Sequence, residues 1–270
     1  MTARLALAIG ALLVVSCVRA ERIELRGHSS TCVVDTCGGR VCSYVEDGTE
    51  ILWMPSDEPG GEACWRHGGI PIAWPWFGRL GKGDSHIHGY AWKSDFKVAS
   101  RTANSAVLTF VTESAALEYT IRLDDALVLE LRTNNKSKFD FPVGVAFHPY
   151  FRVGERDLAI IEGYDNGPVP VTNAVDRSML FGAALPRHEC VIRDNARNLA
   201  LRIVSEGATG LNLWNPGPEK RCPGLIPGDE WRRFVAVEPF AMGLNRFLVL
   251  APGESHVLKM SVSAGIMKRQ

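Results

Sequence analysis

Residues 117–133 read Leu-Glu-Tyr-Thr-Ile-Arg-Leu, then Asp-Asp, then Ala-Leu-Val-Leu-Glu-Leu-Arg-Thr. Leu117, Tyr119, Ile121 and Leu123 occupy every second position, with Glu118, Thr120 and Arg122 between them. Side chains alternate between the two faces of a strand, so this period of two marks a half-buried β-strand; an amphipathic helix would repeat every 3.6 residues. Asp124-Asp125 separates two such runs, which predicts a hairpin turn. The same β-rich patterning recurs at residues 106–111, 199–204, 211–214, 234–237 and 257–263, with Gly and Pro punctuating the intervals. No strong amphipathic helix stands out. Many short strands with turn signals between them predict an all-β chain, a sandwich or a barrel.

The chain has 270 residues, 46% of them apolar, enough to bury a substantial core. No Ser/Gly linker, low-complexity tract or short repeat divides it, so one domain from about residue 22 to 266 is the economical expectation. Its last strand should follow the turn Ala251-Pro252-Gly253-Glu254. Thirty basic and thirty acidic residues balance, and no long run of either sign occurs. This argues against nucleic acid and against electrostatic docking on anionic lipid; an anionic substrate would need a local cluster of cations.

Residues 1–20 have the layout of a cleavable secretory signal: Arg4, an apolar run over 5–15, and Val18-Arg19-Ala20 at the cleavage positions. The alternative is a lipoprotein, because Val14-Val15-Ser16-Cys17 resembles a processing site with Cys17 as the lipidated residue. Either way, export is expected, with no membrane contact beyond the signal or lipid anchor. Without Cys17, six cysteines remain: Cys32, Cys37, Cys42, Cys64, Cys190 and Cys222. An oxidising compartment would permit up to three bridges, and Cys32, Cys37 and Cys42 lie close enough for local pairing.

Several residues could carry chemistry. His148 sits between an apolar run (143–147) and Pro149, which biases it towards extended geometry, well placed to face a groove. Glu238 follows the buried-looking 234–237 run, and a carboxylate there needs a partner; a structural ion pair is one reading and a general base of raised basicity the sharper one. His67 precedes Gly68-Gly69. His86 and His88 alternate along one extended segment, which also invites a metal reading that lacks a third ligand. Trp65, Trp74, Trp76, Phe77, Tyr90 and Trp92, with Tyr150 and Trp214, could stack on sugar faces or could fill a core. No phosphate-binding P-loop, dinucleotide fingerprint or nucleophile elbow is present.

In order, these motifs resemble the hexose-6-phosphate mutarotase branch of the aldose 1-epimerase (galactose mutarotase-like) superfamily. The resemblance rests on residues 37–55 as an opening hairpin and on Gly68-Gly69-Ile70-Pro71 with the later Pro75-Trp76-Phe77-Gly78. It continues through His88-Gly89-Tyr90-Ala91, His148-Pro149-Tyr150-Phe151, Asp176-Arg177, Trp214-Asn215-Pro216 with Glu219-Lys220, and Val237-Glu238-Pro239. It implies a large antiparallel β-sandwich whose concave face binds a sugar, with no metal or redox cofactor. It implies His148 as the acid that protonates the ring oxygen and Glu238 as the base that takes the anomeric proton. His88, Arg66, His67, Arg79, Trp92, Lys93 and Asp176 would hold the substrate. Two positions depart from the family: His67 and Trp92 stand where it has Arg, a residue suited to clamping phosphate. Arg66, Arg79, Lys82 or Lys93 could substitute. The expected substrate is a hexose 6-phosphate. The alternatives are an unphosphorylated aldohexose, a carbohydrate-binding module without turnover, and a structural exported protein with a vestigial site.

Overall fold

In the computed structural model, which describes residues 21–56, 67–81, 87–165, 167–181, 187–218, 226–243 and 245–267, the 117–133 pattern forms strands Ala115–Leu123 and Leu127–Asn135. They pair antiparallel with Leu123 opposite Leu127. The Asp124 N–H donates to Ala126 O at 3.1 Å, so Ala126, read above as strand, belongs to the turn. Leu117, Tyr119, Ile121, Leu129 and Leu131 are buried, while Glu118 and Arg122 face out.

This hairpin lies inside a nine-stranded antiparallel sheet. Its order runs Val169–Pro170, Ala159–Glu162, Arg187–Asp194, Leu199–Glu206, Ser255–Ile266, Leu127–Asn135, Ala115–Leu123, Ser105–Val111, Lys97–Arg101. A six-stranded sheet lies against it, built on Val175–Leu180, Gly210–Asn215, Phe234–Ala241, Val145–Phe147 and Ile72–Ala73, with Tyr150–Arg152 also pairing with Phe234–Ala241. The expected opening hairpin is part of a four-stranded sheet, Arg22–Arg26, Ser30–Asp35, Arg40–Glu46 and Thr49–Glu50. No α-helix occurs among the described residues; three short 3-10 turns are the exceptions to β-structure.

Strand parity decides what each face of the six-stranded sheet does. Phe147, Phe151, Leu211, Leu213, Val235 and Val237 point inward and share one core with Tyr119, Leu201, Met260 and Val262 of the large sheet. The rings of Tyr119 and Phe147 lie 6.1 Å apart across that interface. Trp74 is also core: it is fully buried and its Nε1 donates to Thr133 Oγ1 at 3.1 Å. The intervening residues of the same strands, among them Asn212, Trp214, Glu238 and Tyr150, face the other way.

Two expectations change. Phe234–Ala241 does not end at Glu238 but continues through Pro239. The local cysteine pairing also fails: Cys32 and Cys190 carry buried free thiols, and the Cys42 thiol donates to Arg40 O at 3.5 Å. Cys37 is disulfide-bonded. Cys32 sits on a core-facing strand position, where burial pushes its thiol pKa up and leaves it inert. Residues 1–20 with Cys17, and also Cys64, Arg66, Lys82, His86 and Cys222, lie outside the described residues.

Asn215 ties together the strands that later carry the site. Its buried amide donates to Trp231 O at 2.8 Å and Phe234 O at 2.9 Å, and accepts from Gly217 N at 2.9 Å and Arg156 Nη1 at 3.2 Å. Truncation would leave several buried groups unpaired, each at about 1–3 kcal/mol. Asn215→Ala should therefore lower unfolding free energy by at least about 2 kcal/mol in urea titration, and a loss below about 0.5 kcal/mol would show that the network is dispensable.

Candidate active site

Phe234–Ala241 is flanked on one side by two short strands that keep a single antiparallel register. Ala146 lies opposite Phe240 and Tyr150 opposite Ala236, so His148, between them, falls opposite Glu238. On the other side Asn212 pairs with Glu238, and Ser178 pairs with Asn212. Ser178, Asn212, Glu238 and His148 thus form one row across the sheet, on the face turned away from the core. Directly opposed side chains start about 5 Å apart at Cβ. Here His148 Nε2 and Glu238 Oε2 end 3.6 Å apart.

Each group is held by its own neighbours. The His148 N–H donates to Pro71 O at 2.9 Å. Its ring stacks on Tyr150, two residues on, with centroids 4.9 Å apart and planes 14° from parallel. The Tyr150 hydroxyl in turn shares a hydrogen bond with His67 Nδ1, and the His67 ring stacks on Trp214 at 6.0 Å. Ser178 Oγ bonds Asn212 Oδ1 at 2.8 Å. That contact turns the Asn212 Nδ2 towards Glu238 Oε1, at 3.5 Å, and Asp176 Oδ1, at 3.4 Å.

His88 arrives from a loop with left-handed backbone, φ +64°, followed by Gly89 at φ +73°. At Gly89 a Cβ would come within 2.1 Å of Trp74 O, so the close approach requires glycine. The Gly78 N–H donates to His88 Nδ1 at 3.1 Å, which leaves Nε2 carrying the proton of the neutral ring. The His88 ring meets His148 edge-on with centroids 5.1 Å apart.

These side chains line a cleft of about 780 Å³, within the range of small-molecule sites. The described residues expected to hold a substrate, His67, His88, Arg79, Trp92, Lys93 and Asp176, all line it, together with His148 and Glu238. Trp92 spends its indole N–H on Ile87 O at 3.0 Å and Gly89 O at 3.1 Å, bracing the His88 loop, and carries Lys93 Nζ 4.4 Å above its ring. Sequence reasoning missed Asn212, Ser178, Met242 and Arg246. Parity held a signal for Asn212, because Leu211 and Leu213 are the core side of that strand. Arg246 sits in a loop at φ +73° and has no sequence signal.

Burial governs the electrostatics. It pulls the His67 and His88 pKa values down to about 4. It pulls His148 well below the usual imidazole value, and the neighbouring His88 and His67 rings add to the effect. Burial pushes Glu238 well above the usual carboxylate value; Asp176 adds to this and the Asn212 amide opposes it. Both members of the pair are thus driven towards neutral forms. Glu238 Oε2 makes no hydrogen bond among the described residues, so it retains full capacity to accept one from a ligand.

The chain also resembles known proteins. The aldose 1-epimerase family model matches residues 21–174. A protein of Escherichia coli (strain K12), provisionally named a glucose-6-phosphate 1-epimerase, is 26% identical over 224 residues, covering 74% of this chain and 76% of its own. One from Cenchrus ciliaris with the same provisional name is 25% identical over 286 residues, covering 90% and 84%. Among solved structures, a protein from Salmonella typhimurium provisionally described as a mutarotase superposes with a TM-score of 0.79 at 22% identity, covering 93% of this chain and 92% of that one. With the family model matching more than half its length, the chain belongs to the aldose 1-epimerase family.

Proposed function

We propose that this protein interconverts the α and β anomers of a hexose, with a hexose 6-phosphate as preferred substrate. The observation that supports this reading best is the 3.6 Å contact between His148 Nε2 and Glu238 Oε2 at the floor of the cleft. The anomeric oxygen O1 and the ring oxygen O5 are bonded to the same carbon. An acid and a base that serve them must sit side by side, not across the sugar.

One group takes the O1 proton as the C1–O5 bond breaks and its electrons move to O5, while the other protonates O5. The open aldehyde turns about C1–C2, O5 attacks the opposite face of C1, and both protons return. Across the cycle the pair needs one proton between them. Imidazolium with carboxylate and imidazole with carboxylic acid carry the same charge. The family roles, His148 as acid and Glu238 as base, use the first arrangement in the reacting complex, whereas burial favours the second in the free cleft. Each group contributes roughly two to four orders of magnitude, and fixed positioning supplies much of the rest.

Phosphate preference is supported by Arg79, Lys93 and Arg246 along the same cleft and by the provisional names of the relatives. Against it, the two positions where the family has Arg are occupied otherwise. His67 Nδ1 is engaged by Tyr150 and the Trp92 N–H by its own loop, which favours an unphosphorylated hexose as the second reading. The export expected from residues 1–20 belongs to this proposal; it changes which sugar the protein meets, not the chemistry.

Anomer exchange measured by NMR on glucose 6-phosphate and on glucose tests both levels. His148→Ala and Glu238→Gln should each lower kcat by roughly 10²–10⁴-fold, and unchanged rates would remove the proposal. For the wild type, kcat/KM should favour the phosphorylated sugar by about tenfold or more, one charge-assisted contact's worth; a preference for glucose would establish the second reading.

The pH dependence follows from the same pair. Activity is lost on the acid side when a second proton enters, and His148, with its lowered pKa, resists that proton. It is lost on the alkaline side when the single proton leaves. With glucose, which does not titrate in this range, kcat/KM should stay level as pH falls through about 6.5, the ordinary imidazole value. An acid limb centred there would contradict the burial argument.

A further inference from the structure

On the far side of an aromatic wall from His148 lies a second cavity, of about 450 Å³, which shares no lining residue with the catalytic cleft. The wall is Trp53, tilted against Phe234 with ring centroids 4.6 Å apart and against Tyr150 at 5.8 Å. Three guanidinium groups from separate segments line the cavity. Arg152 ends the strand that carries Tyr150, Arg197 lies in the turn after Arg187–Asp194, and Arg233 closes the 3-10 turn Glu230–Arg233.

These arginines are anchored but not saturated. Arg197 is gripped from behind, donating to Arg152 O at 2.9 Å and Glu50 O at 2.8 Å, with Asp194 at 3.7 Å. Arg152 donates through Nε to Leu52 O at 3.3 Å; its two terminal nitrogens have no partner among the described residues. Arg233 uses Nη1 on Gly154 O, and its other donors are likewise unengaged. The lining contains one carboxylate, Glu230, which is occupied by the backbone N–H and hydroxyl of Ser56. Burial lowers the Arg197 pKa and the nearby Arg152 charge adds to this, while Asp194 and Glu50 oppose it. Like charges held together in a concave site are relieved by an anion, and guanidinium forks match tetrahedral oxyanions in particular.

We propose that this cavity is a second ligand site, which binds the phosphate group of inorganic phosphate or of a small phosphate ester against Arg152, Arg197 and Arg233. The inference uses none of the catalytic residues and stands or falls separately from the mutarotase reading.

Calorimetric titration of the whole protein with inorganic phosphate, against sodium chloride at matched ionic strength, tests it, and glycerol phosphate in parallel separates the free ion from an ester. Phosphate should bind where chloride does not. Arg233→Gln, at an exposed side chain, should weaken binding by about tenfold or more. Arg152→Lys, which keeps the charge but loses the fork, should weaken it by less, while anomer exchange on glucose stays at the wild-type rate in both variants. Phosphate binding equal to chloride would overturn the proposal. So would affinity unchanged in both variants, or affinity abolished instead by Arg79→Gln with Arg246→Gln, which would place the ion in the catalytic cleft.

Discussion

The chemistry proposed for this protein depends on one register. Phe234–Ala241 pairs with the segment around His148 so that residue 148 falls opposite residue 238, and with Gly210–Asn215 so that Asn212 lies on the other side. A slip of one residue would send every side chain of a strand to the other face. The imidazole or the carboxylate would then be in the core, and Val237 or Phe147 in the cleft. The apolar residues that alternate with those proposed as catalytic are therefore also what aims them. Packing of Phe147, Val235 and Val237 into the shared core fixes the register, and the register sets the imidazole beside the carboxylate.

The same packing sets the state of the pair. Burial raises the cost of charge on both groups, and the His88 and His67 rings further disfavour protonation of His148. Asn212 moderates this on the carboxylate side, held in one orientation by Ser178. In the proposed reaction this gives a compact donor–acceptor pair with a single proton to exchange, against two oxygens on one carbon. Tyr150, stacked on His148 and bonded to His67, and the His88 loop braced by Trp92 restrict where the imidazole can go.

Much of this was legible in the sequence. The period of two in residues 117–133, and its recurrence, specified an all-β fold, because alternate burial on a pleated strand leaves that trace and no other. His148 and Glu238 stood out by their settings, each beside Pro and after an apolar run. Patterning alone did not give their adjacency, which only the family resemblance implied: residues far apart in the chain meet through pairing rules that periodicity does not encode. Asn212 was recoverable from parity once Leu211 and Leu213 were assigned to the core. Trp74 shows the reverse, since nothing in the aromatic-rich 68–78 stretch distinguishes a core ring from a sugar platform. The expected local pairing among Cys32, Cys37 and Cys42 failed, although Cys37 is disulfide-bonded, because closeness in sequence does not bring two sulfurs together: Cys32 is directed into the core by its strand. Arg246 and the arginines of the second cavity come from loops and strand ends, where side-chain direction follows backbone turns rather than any repeat.

A double-mutant cycle on kcat for anomer exchange tests most directly whether His148 and Glu238 act as one unit on a shared proton. If they do, the His148→Ala, Glu238→Gln double variant should be about as slow as the slower single variant, because removing either partner already disables the transfer. Losses that multiply, each substitution costing its full factor in the presence of the other, would show two independent groups and contradict the shared-proton pair.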